Sequence, residues 1–363
     1  MTDIEGQALD QWFEKELVCP LDKTELCLRA RELVCDKGHC YPIAGGVPVM
    51  LVADKNATMP KAFARSLALA AEASQNGHEL NGSTRSGAVD RWVQQHITDT
   101  CGRRLFGRVQ GKLTDYPIPD IPLAPPDHPG QELLDVGCNW GRWSISAARL
   151  GYVPIGIDPM LEAVLAAKRI ATQLGLKARF LCGDARHLPF RDARFSLVHS
   201  YGVFQHFSKD NARLAISEVG RVLGRNGTSL IQMTGAFGPL ALWRIVAYPL
   251  GLGFRDGGEF KVRHWTPGEI RSTFGLLIGP TTVSVDGYLT IMPQPGDLKL
   301  LDLRHRLLVR LSDFGRGLSR TFPALILLAD SLYATSQKPS SISGVHDSRI
   351  HGQTDGPSSL PSD

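Results

Sequence analysis

The stretch Leu133-Leu134-Asp135-Val136-Gly137-Cys138-Asn139-Trp140-Gly141-Arg142-Trp143 decides how this chain reads. An apolar run ends near an acid, passes through a Gly-containing turn and enters a helix-like stretch at 144–150. That order is a buried strand, a tight backbone loop and a helix start. Such a loop lets main-chain atoms approach a bound group closely, because glycine has no Cβ in the way. A second apolar run, 153–157, follows and ends in Asp158. A carboxylate at that point can accept hydrogen bonds from both hydroxyls of a bound ribose.

Working outward, five strands are expected at 132–136, 153–157, 178–182, 196–200 and 229–233, and helices at 144–150, 160–174 and 211–223. The strand runs are short and apolar without alternation, which suits a parallel sheet covered on both faces. The expected fold class is α/β, a doubly wound Rossmann-like sheet with a small β-rich module in front of it. Arg225-Asn226-Gly227 reads as the turn between the third helix and the last of these strands.

Four regions separate by composition. Residues 1–53 hold four of the seven cysteines and read as a ribbon-like module. Residues 54–130 read as a helical connector with a polar, Gly-rich loop at 76–87, read as mobile. It closes in Tyr116-Pro-Ile-Pro-Asp-Ile-Pro-Leu-Ala-Pro-Pro, which cannot be helical and is expected to lie extended against the next domain. Residues 131–336 form the main domain, with a substrate cap from about 235. Residues 337–363, rich in Ser, Pro and Gly, read as a disordered tail. No internal repeat is visible.

Composition narrows the classes. The 363 residues leave room for one large domain and a small one, and 43% hydrophobic residues supply a substantial core. A net charge of +4 does not demand a nucleic-acid partner. The acidic first ten residues do not read as a signal peptide, and seven irregularly spread cysteines fit a reducing compartment, so a cytoplasmic location is expected. The apolar stretch 236–254 is interrupted by Arg244 and two prolines and does not read as a transmembrane segment. It reads either as a helix packed over the active site or as a lid meeting a lipid-like substrate or a membrane surface.

The Gly turn runs Asp135-x-Gly137-x-x-x-Gly141 rather than Gly-x-Gly-x-x-Gly, and this looser form suits a cofactor without phosphates. Leu181-Cys-Gly-Asp184-Ala185 closes the third strand with another acid, and Phe195-Ser-Leu-Val-His-Ser200-Tyr201-Gly-Val-Phe-Gln-His206-Phe gives the fourth strand and its loop. In a doubly wound sheet these loops gather at the carboxyl ends of the strands. With these four ordered motifs, 132–233 resembles a class I S-adenosylmethionine-dependent methyltransferase of the type 11 kind.

The resemblance implies S-adenosyl-L-methionine as cofactor. Asp135, Gly137, Cys138, Asn139 and Gly141 would form the methionine-side turn, with Asn139 where the family has its middle glycine. Asn tolerates left-handed backbone angles well, so the turn survives. Trp140, Arg142 and Trp143 are placed to cover the cofactor. Asp158 and Pro159 take the ribose position, Asp184 and Ala185 the adenine position, and Ser200 and Tyr201 the loop facing cofactor and substrate. The catalytic candidates are His206, Tyr201 and His264. His199 reads as a packed residue. His264, in Arg263-His264-Trp265-Thr266-Pro267, precedes a helix capped by Thr266 and either lines the substrate pocket or staples that helix. Asp135 either contacts cofactor or bonds its own loop.

The first module contains Leu17-Val-Cys-Pro-Leu-Asp22, then Leu33-Val-Cys35-Asp-Lys-Gly-His39-Cys40 and Tyr41-Pro-Ile-Ala-Gly-Gly-Val-Pro-Val-Met50. It resembles the zinc-ribbon-like domains found beside tRNA methyltransferases, departing at Cys19-x-x-Asp22 where a knuckle would be Cys-x-x-Cys. It is either a degenerate, metal-free ribbon or a zinc site drawn from Cys19, Asp22, Cys35, His39 and Cys40; Cys27 is expected to be buried. Bacterial ribosomal RNA guanine methyltransferases begin similarly. The module lacks a basic cluster, so a small-molecule or lipid-linked acceptor is ranked ahead of RNA, and ahead of a non-catalytic cofactor- or partner-binding role.

Overall fold

The computed structural model describes residues 9–54, 58–76, 88–101, 106–247, 261–289 and 294–340. The main sheet is built on β5 (Glu132–Val136), β6 (Val153–Asp158), β7 (Arg179–Gly183), β8 (Phe195–Ser200) and β9 (Leu223–Thr234). β10 (Thr281–Gly287) and β11 (Ser331–Gln337) complete it in the order β7-β6-β5-β8-β9-β11-β10. All neighbours pair parallel except β11, which runs antiparallel to both β9 and β10. The order reverses at β5, which has β6 on one side and β8 on the other, so a crevice opens above its carboxyl end.

The strand period of two sorts side chains into two cores. Leu134, Val136, Val198, Ile231 and Leu332 join α6 (Lys209–Val222) and, after α7 (Pro239–Ala247) in the chain, α8 (Pro267–Leu277) on one face. Leu133, Leu197, Leu230 and Tyr333 meet α4 (Arg142–Leu150) on the other. There α5 (Leu161–Gln173) presents Leu161, Val164 and Ala167 to Phe180. Helix α4 stops at Gly151, whose left-handed backbone lets its N–H reach the Ala147 and Ala148 carbonyls. Both faces are covered, as the doubly wound reading requires.

Three boundaries differ from the sequence reading. First, the region after 235 is more than a cap: β10 and β11 finish the sheet, and the half-buried, partly polar β10 (Thr281-Thr-Val-Ser-Val-Asp-Gly) lacks the apolar run that marked the inner strands. Second, Arg225-Asn226-Gly227 lies inside β9 as a bulge, with Asn226 at φ 60° and the register to β8 shifting between Phe195 and Leu197. Third, Gln337 is the last residue of β11 and Lys338 donates to the Gly220 and Leu223 carbonyls, so the tail begins later; 341–363 lies outside the described residues.

The first module is α1 (Gln11–Glu16) and an antiparallel ribbon, β1 (Leu26–Arg29), β2 (Glu32–Cys35), β3 (Cys40–Ala44) and β4 (Val47–Met50). It does not stand apart. β4 pairs parallel with β7, Val49 opposite Cys182 and Met50 opposite Gly183, so the ribbon extends the edge of the main sheet. Lys23 clamps the join, donating to Glu218 on α6 and to the Leu188 carbonyl. Its position covers an edge that would otherwise be open to pairing with another chain.

The connector holds α2 (Pro60–Asn76) and α3 (Arg91–Cys101), and 77–87 lies outside the described residues. The proline run lies along α4: Ser146 Oγ donates to Pro119 O at 2.6 Å and Arg142 Nε to Pro117 O at 2.8 Å. Arg142 also pairs with Asp297 at 2.5 Å, both side chains buried. Removing one partner strands the other charge, so Arg142→Met should cost about 3–5 kcal/mol, while adding Asp297→Leu should recover a large part of it. Urea unfolding of the two single variants and the double variant measures this cycle.

Candidate functional site

The tip of β6 organises the crevice. Asp158 is buried, its Oδ2 accepting the Asn139 N–H at 3.0 Å and its Oδ1 the Met160 N–H at 2.9 Å. The first bond ties the β5–α4 loop to β6, and Gly137 and Cys138 add theirs to the Ile157 carbonyl. The loop takes left-handed angles at Gly137 (φ 77°), Asn139 (φ 50°) and Gly141 (φ 82°), so Asn139 does serve where a glycine is usual. A Cβ on Gly137 would stand 2.1 Å from Val203 Cγ2, inside the wall of the crevice.

Asp184, at the tip of β7, accepts from Arg186 through its N–H at 3.0 Å and its guanidinium at 2.6 and 2.9 Å. Arg186 continues to Asp54 at 2.8 Å, which anchors the end of the first module beside the same crevice. Asp158 and Asp184 both open on one cavity of about 350 Å³, within the range of small-molecule sites. Gly137, Pro159, Ala185, Tyr201 and His206 line it with them. Thr58, Met59 and Phe63 close its far wall from the connector, and the Thr58 Oγ1 is buried without a protein partner.

The remaining sequence candidates lie around the cavity rather than on it. Asp135 is buried, accepting from Ser144 Oγ at 2.6 Å and standing 3.1 Å from His199 Nδ1, so it holds strand to helix. Ser200 Oγ donates to the Val136 carbonyl, and Cys138 packs beside Gly156. Gly141 sits over Ala167 and Phe180. Trp140 is buried in the cluster with Phe106 and Ile145, Trp143 stacks on Tyr201, and Arg142 turns to Asp297, so none covers the cavity. His264 Nδ1 lies 3.0 Å from the Gly235 carbonyl and does not line the cavity; with the adjoining Thr266–Glu269 capping box it fixes the start of α8.

Tyr201 reaches the cavity with its body while its hydroxyl donates to Asp286 at 2.7 Å and accepts from Gln294 at 2.9 Å. Burial and the Asp286 carboxylate push its pKa far up. It is a wall, and a poor proton acceptor. His206 lines the cavity from the short 3-10 turn Phe204–His206, with its Nε2 3.4 Å from Gln205 Nε2.

In the first module Cys19, Asp22, Cys35 and His39 bring their ligand atoms within 4.8 Å of one another. His39 Nδ1 stands 3.4 Å from Cys19 Sγ, 3.3 Å from Cys35 Sγ and 3.2 Å from Asp22 Oδ2. Around this set, Thr24 donates twice to Asp22 Oδ1 and Tyr41 OH lies 3.1 Å from Cys19 Sγ. Cys40 is not part of it, being exposed with its thiol toward the Gly38 carbonyl, and Cys27 is exposed rather than buried. Neighbouring strand residues alternate sides, which turns Cys40 away when Tyr41 faces in.

The chain matches the family described as Methyltransferase domain over residues 133–227. The match runs from β5 into β9. The chain is similar to a ubiquinone biosynthesis O-methyltransferase of Azorhizobium caulinodans, 28% identical over 28% of this chain and 40% of that protein. It is also similar to an uncharacterized methyltransferase of Synechocystis sp., 32% identical over 38% of this chain and 59% of that protein. A human probable tRNA methyltransferase is 36% identical over 29% of this chain and 22% of its own length. The first two matches thus span about half of those proteins' length, and all three are confined to a part of this chain.

Burial pushes the Asp158 carboxyl up to about 6, against the lowering effect of its two amide donors. The folded protein therefore binds this proton more tightly than the unfolded chain, and stability falls as pH rises from about 4 to about 6. A shift of this size corresponds to about 3 kcal/mol. Asp158→Ala should flatten that slope, as read from unfolding free energies measured across the interval.

Proposed function

We propose that the chain is an S-adenosyl-L-methionine-dependent methyltransferase acting on a small-molecule or lipid-linked acceptor. The observation that carries this reading is the convergence of Asp158 and Asp184 from adjacent strand tips onto one cavity floored by the Gly137 turn. Each Asp158 oxygen has one amide donor and keeps a lone pair for a ribose hydroxyl. Asp184 keeps similar capacity on Oδ1 toward an exocyclic amine. The turn without a Cβ admits the amino-acid end, and Thr58 supplies an unsatisfied hydroxyl.

The sulfonium methyl is activated in the cofactor itself. The protein's work is to hold an acceptor in line with it and to keep water out, and such positioning supplies on the order of 7–11 kcal/mol. His206 is the proposed proton acceptor, as the imidazole that lines the cavity. The wall of Met59, Phe63, Val203 and Phe207 favours an acceptor with apolar surface over a polyanion. The relatives' names divide between ubiquinone biosynthesis and tRNA, so the acceptor is argued from this wall.

The first module supports a zinc site of Cys19, Asp22, Cys35 and His39. Tetrahedral zinc with bonds of about 2.0–2.3 Å sets its ligand atoms about 3.3–3.8 Å apart. Four of the six ligand-atom separations, at 3.2 to 3.7 Å, match those edges, and all six lie within 4.8 Å. Thr24 and Tyr41 would orient the ligands from behind. The metal would be structural, holding the ribbon against β7.

Asp158→Ala should weaken cofactor binding about ten-fold or more by calorimetry, since each lost charge-assisted bond is worth about 1.5–3 kcal/mol. Unchanged affinity would contradict the assigned site. Labelled methyl transfer into a fractionated extract should place counts in lipid or small metabolites; counts in RNA would overturn the acceptor class. Elemental analysis should find about one zinc per chain and none in Cys35→Ser; zinc-free wild-type protein from zinc-supplied cells would refute the metal site.

A further inference from the structure

Helix α9 (Leu303–Thr321) is amphipathic in the reverse of the usual sense. Leu303, Leu307, Leu311, Phe314 and Leu318 are all exposed, Leu303 at 81% and Phe314 at 71%. At 100° per residue the five fall within an arc of about 80°. The opposite side docks: Val309 and Ser312 are buried, and the Ser312 hydroxyl accepts the Tyr288 N–H at 2.9 Å. The helix thus holds to the protein by a narrow seam and turns a continuous apolar stripe outward.

Arginines border the stripe, Arg304 along one side and Arg306 and Arg310 along the other. Asp313 is the helix's own carboxylate and is paired with Arg316. Arg304 and Arg310 have no carboxylate partner among the described residues. The apolar surface continues past the helix through exposed Phe322 and Leu327. No helix among the described residues is long and apolar enough to cross a membrane.

We propose that α9 lies in the headgroup layer of an anionic membrane, its leucines and Phe314 reaching the acyl boundary and its arginines pairing with lipid phosphates. An apolar stripe edged by cations is what such a surface binds. A second copy of the helix would set like-charged borders against each other, which disfavours self-association as the cover. The docked helix sits beside the cavity: Gln294, at the start of the 3-10 turn Pro295–Leu300 leading to it, donates to Tyr201 on the cavity wall. The surface is independent of the methyl-transfer reading, and vesicle binding tests it without turnover.

The full chain is sedimented with vesicles of phosphatidylcholine alone and of phosphatidylcholine mixed with phosphatidylglycerol. Binding to the mixed vesicles should be about ten-fold stronger or more, and should weaken as salt is raised. A double variant, Leu307→Asn with Phe314→Asn, should bind mixed vesicles at least about ten-fold more weakly with an unchanged melting temperature, since both positions are exposed. Arg304→Gln with Arg310→Gln should lose the preference for the anionic lipid. In Phe314→Trp, emission should shift to the blue on mixing with anionic vesicles. The proposal is overturned by failure of the wild-type chain to bind the mixed vesicles, or by full binding in the Leu307/Phe314 variant. A solution dimer that this variant dissociates would overturn it equally, by assigning the stripe to a second copy.

Discussion

A buried carboxylate at a strand tip is the constraint on which the rest depends. Asp158 gives up its hydration at the end of β6 and recovers part of that cost from two loop amides, one of them on the neighbouring β5–α4 turn. The bond to Asn139 joins those of Gly137 and Cys138 to the Ile157 carbonyl in holding a turn with three left-handed residues. It also leaves the carboxylate at the surface of a cavity with unused acceptor capacity. Stability is given up at the position where a ligand can return it, as expected of a binding site held ready in the free protein.

The rest of the chamber is assembled from distant parts of the chain. Arg186 binds the Asp184 carboxylate and Asp54 together, so the end of the ribbon module is fixed to the same strand tip that faces the cavity. The β4–β7 pairing makes the module an added strand of the main sheet, and α2 begins at the cavity wall with Phe63. On the other flank Tyr201 connects the cavity to Asp286, Gln294 and the segment that carries α9.

The sheet from β5 to β9 was legible because each strand contains a short apolar run closed by an acid, a glycine, a serine or a threonine, and because Gly137, Asn139 and Gly141 mark a turn that few residues can make. β10 and β11 were not, since an edge strand such as Thr281–Gly287 alternates weakly and β11 (Ser331–Gln337) resembles the polar tail that follows it. That Asp158, Asp184 and their neighbours Pro159 and Ala185 would meet at one cavity was legible, because position at a strand end dictates where a side chain points. Asp135 occupies an equally prominent place but is consumed by Ser144 and His199, partners that only the packing reveals. Thr58, Met59 and Phe63 carried no signal of their own; their role follows from the sheet extension by β4. In the ribbon, the spacing Cys35-x-x-x-His39 was visible, while the exclusion of Cys40 needed the strand's alternation and the inward Tyr41.

The proposed nucleoside site lies at the tips of β5, β6, β7 and β8. Hydrogen–deuterium exchange of the full chain with and without saturating S-adenosylhomocysteine tests it most directly. Exchange should slow in peptides covering 137–141, 158–160, 184–187 and 201–207, with β1 and β2 unchanged. Protection confined to other segments, or no protection at any of these strand tips, would contradict it.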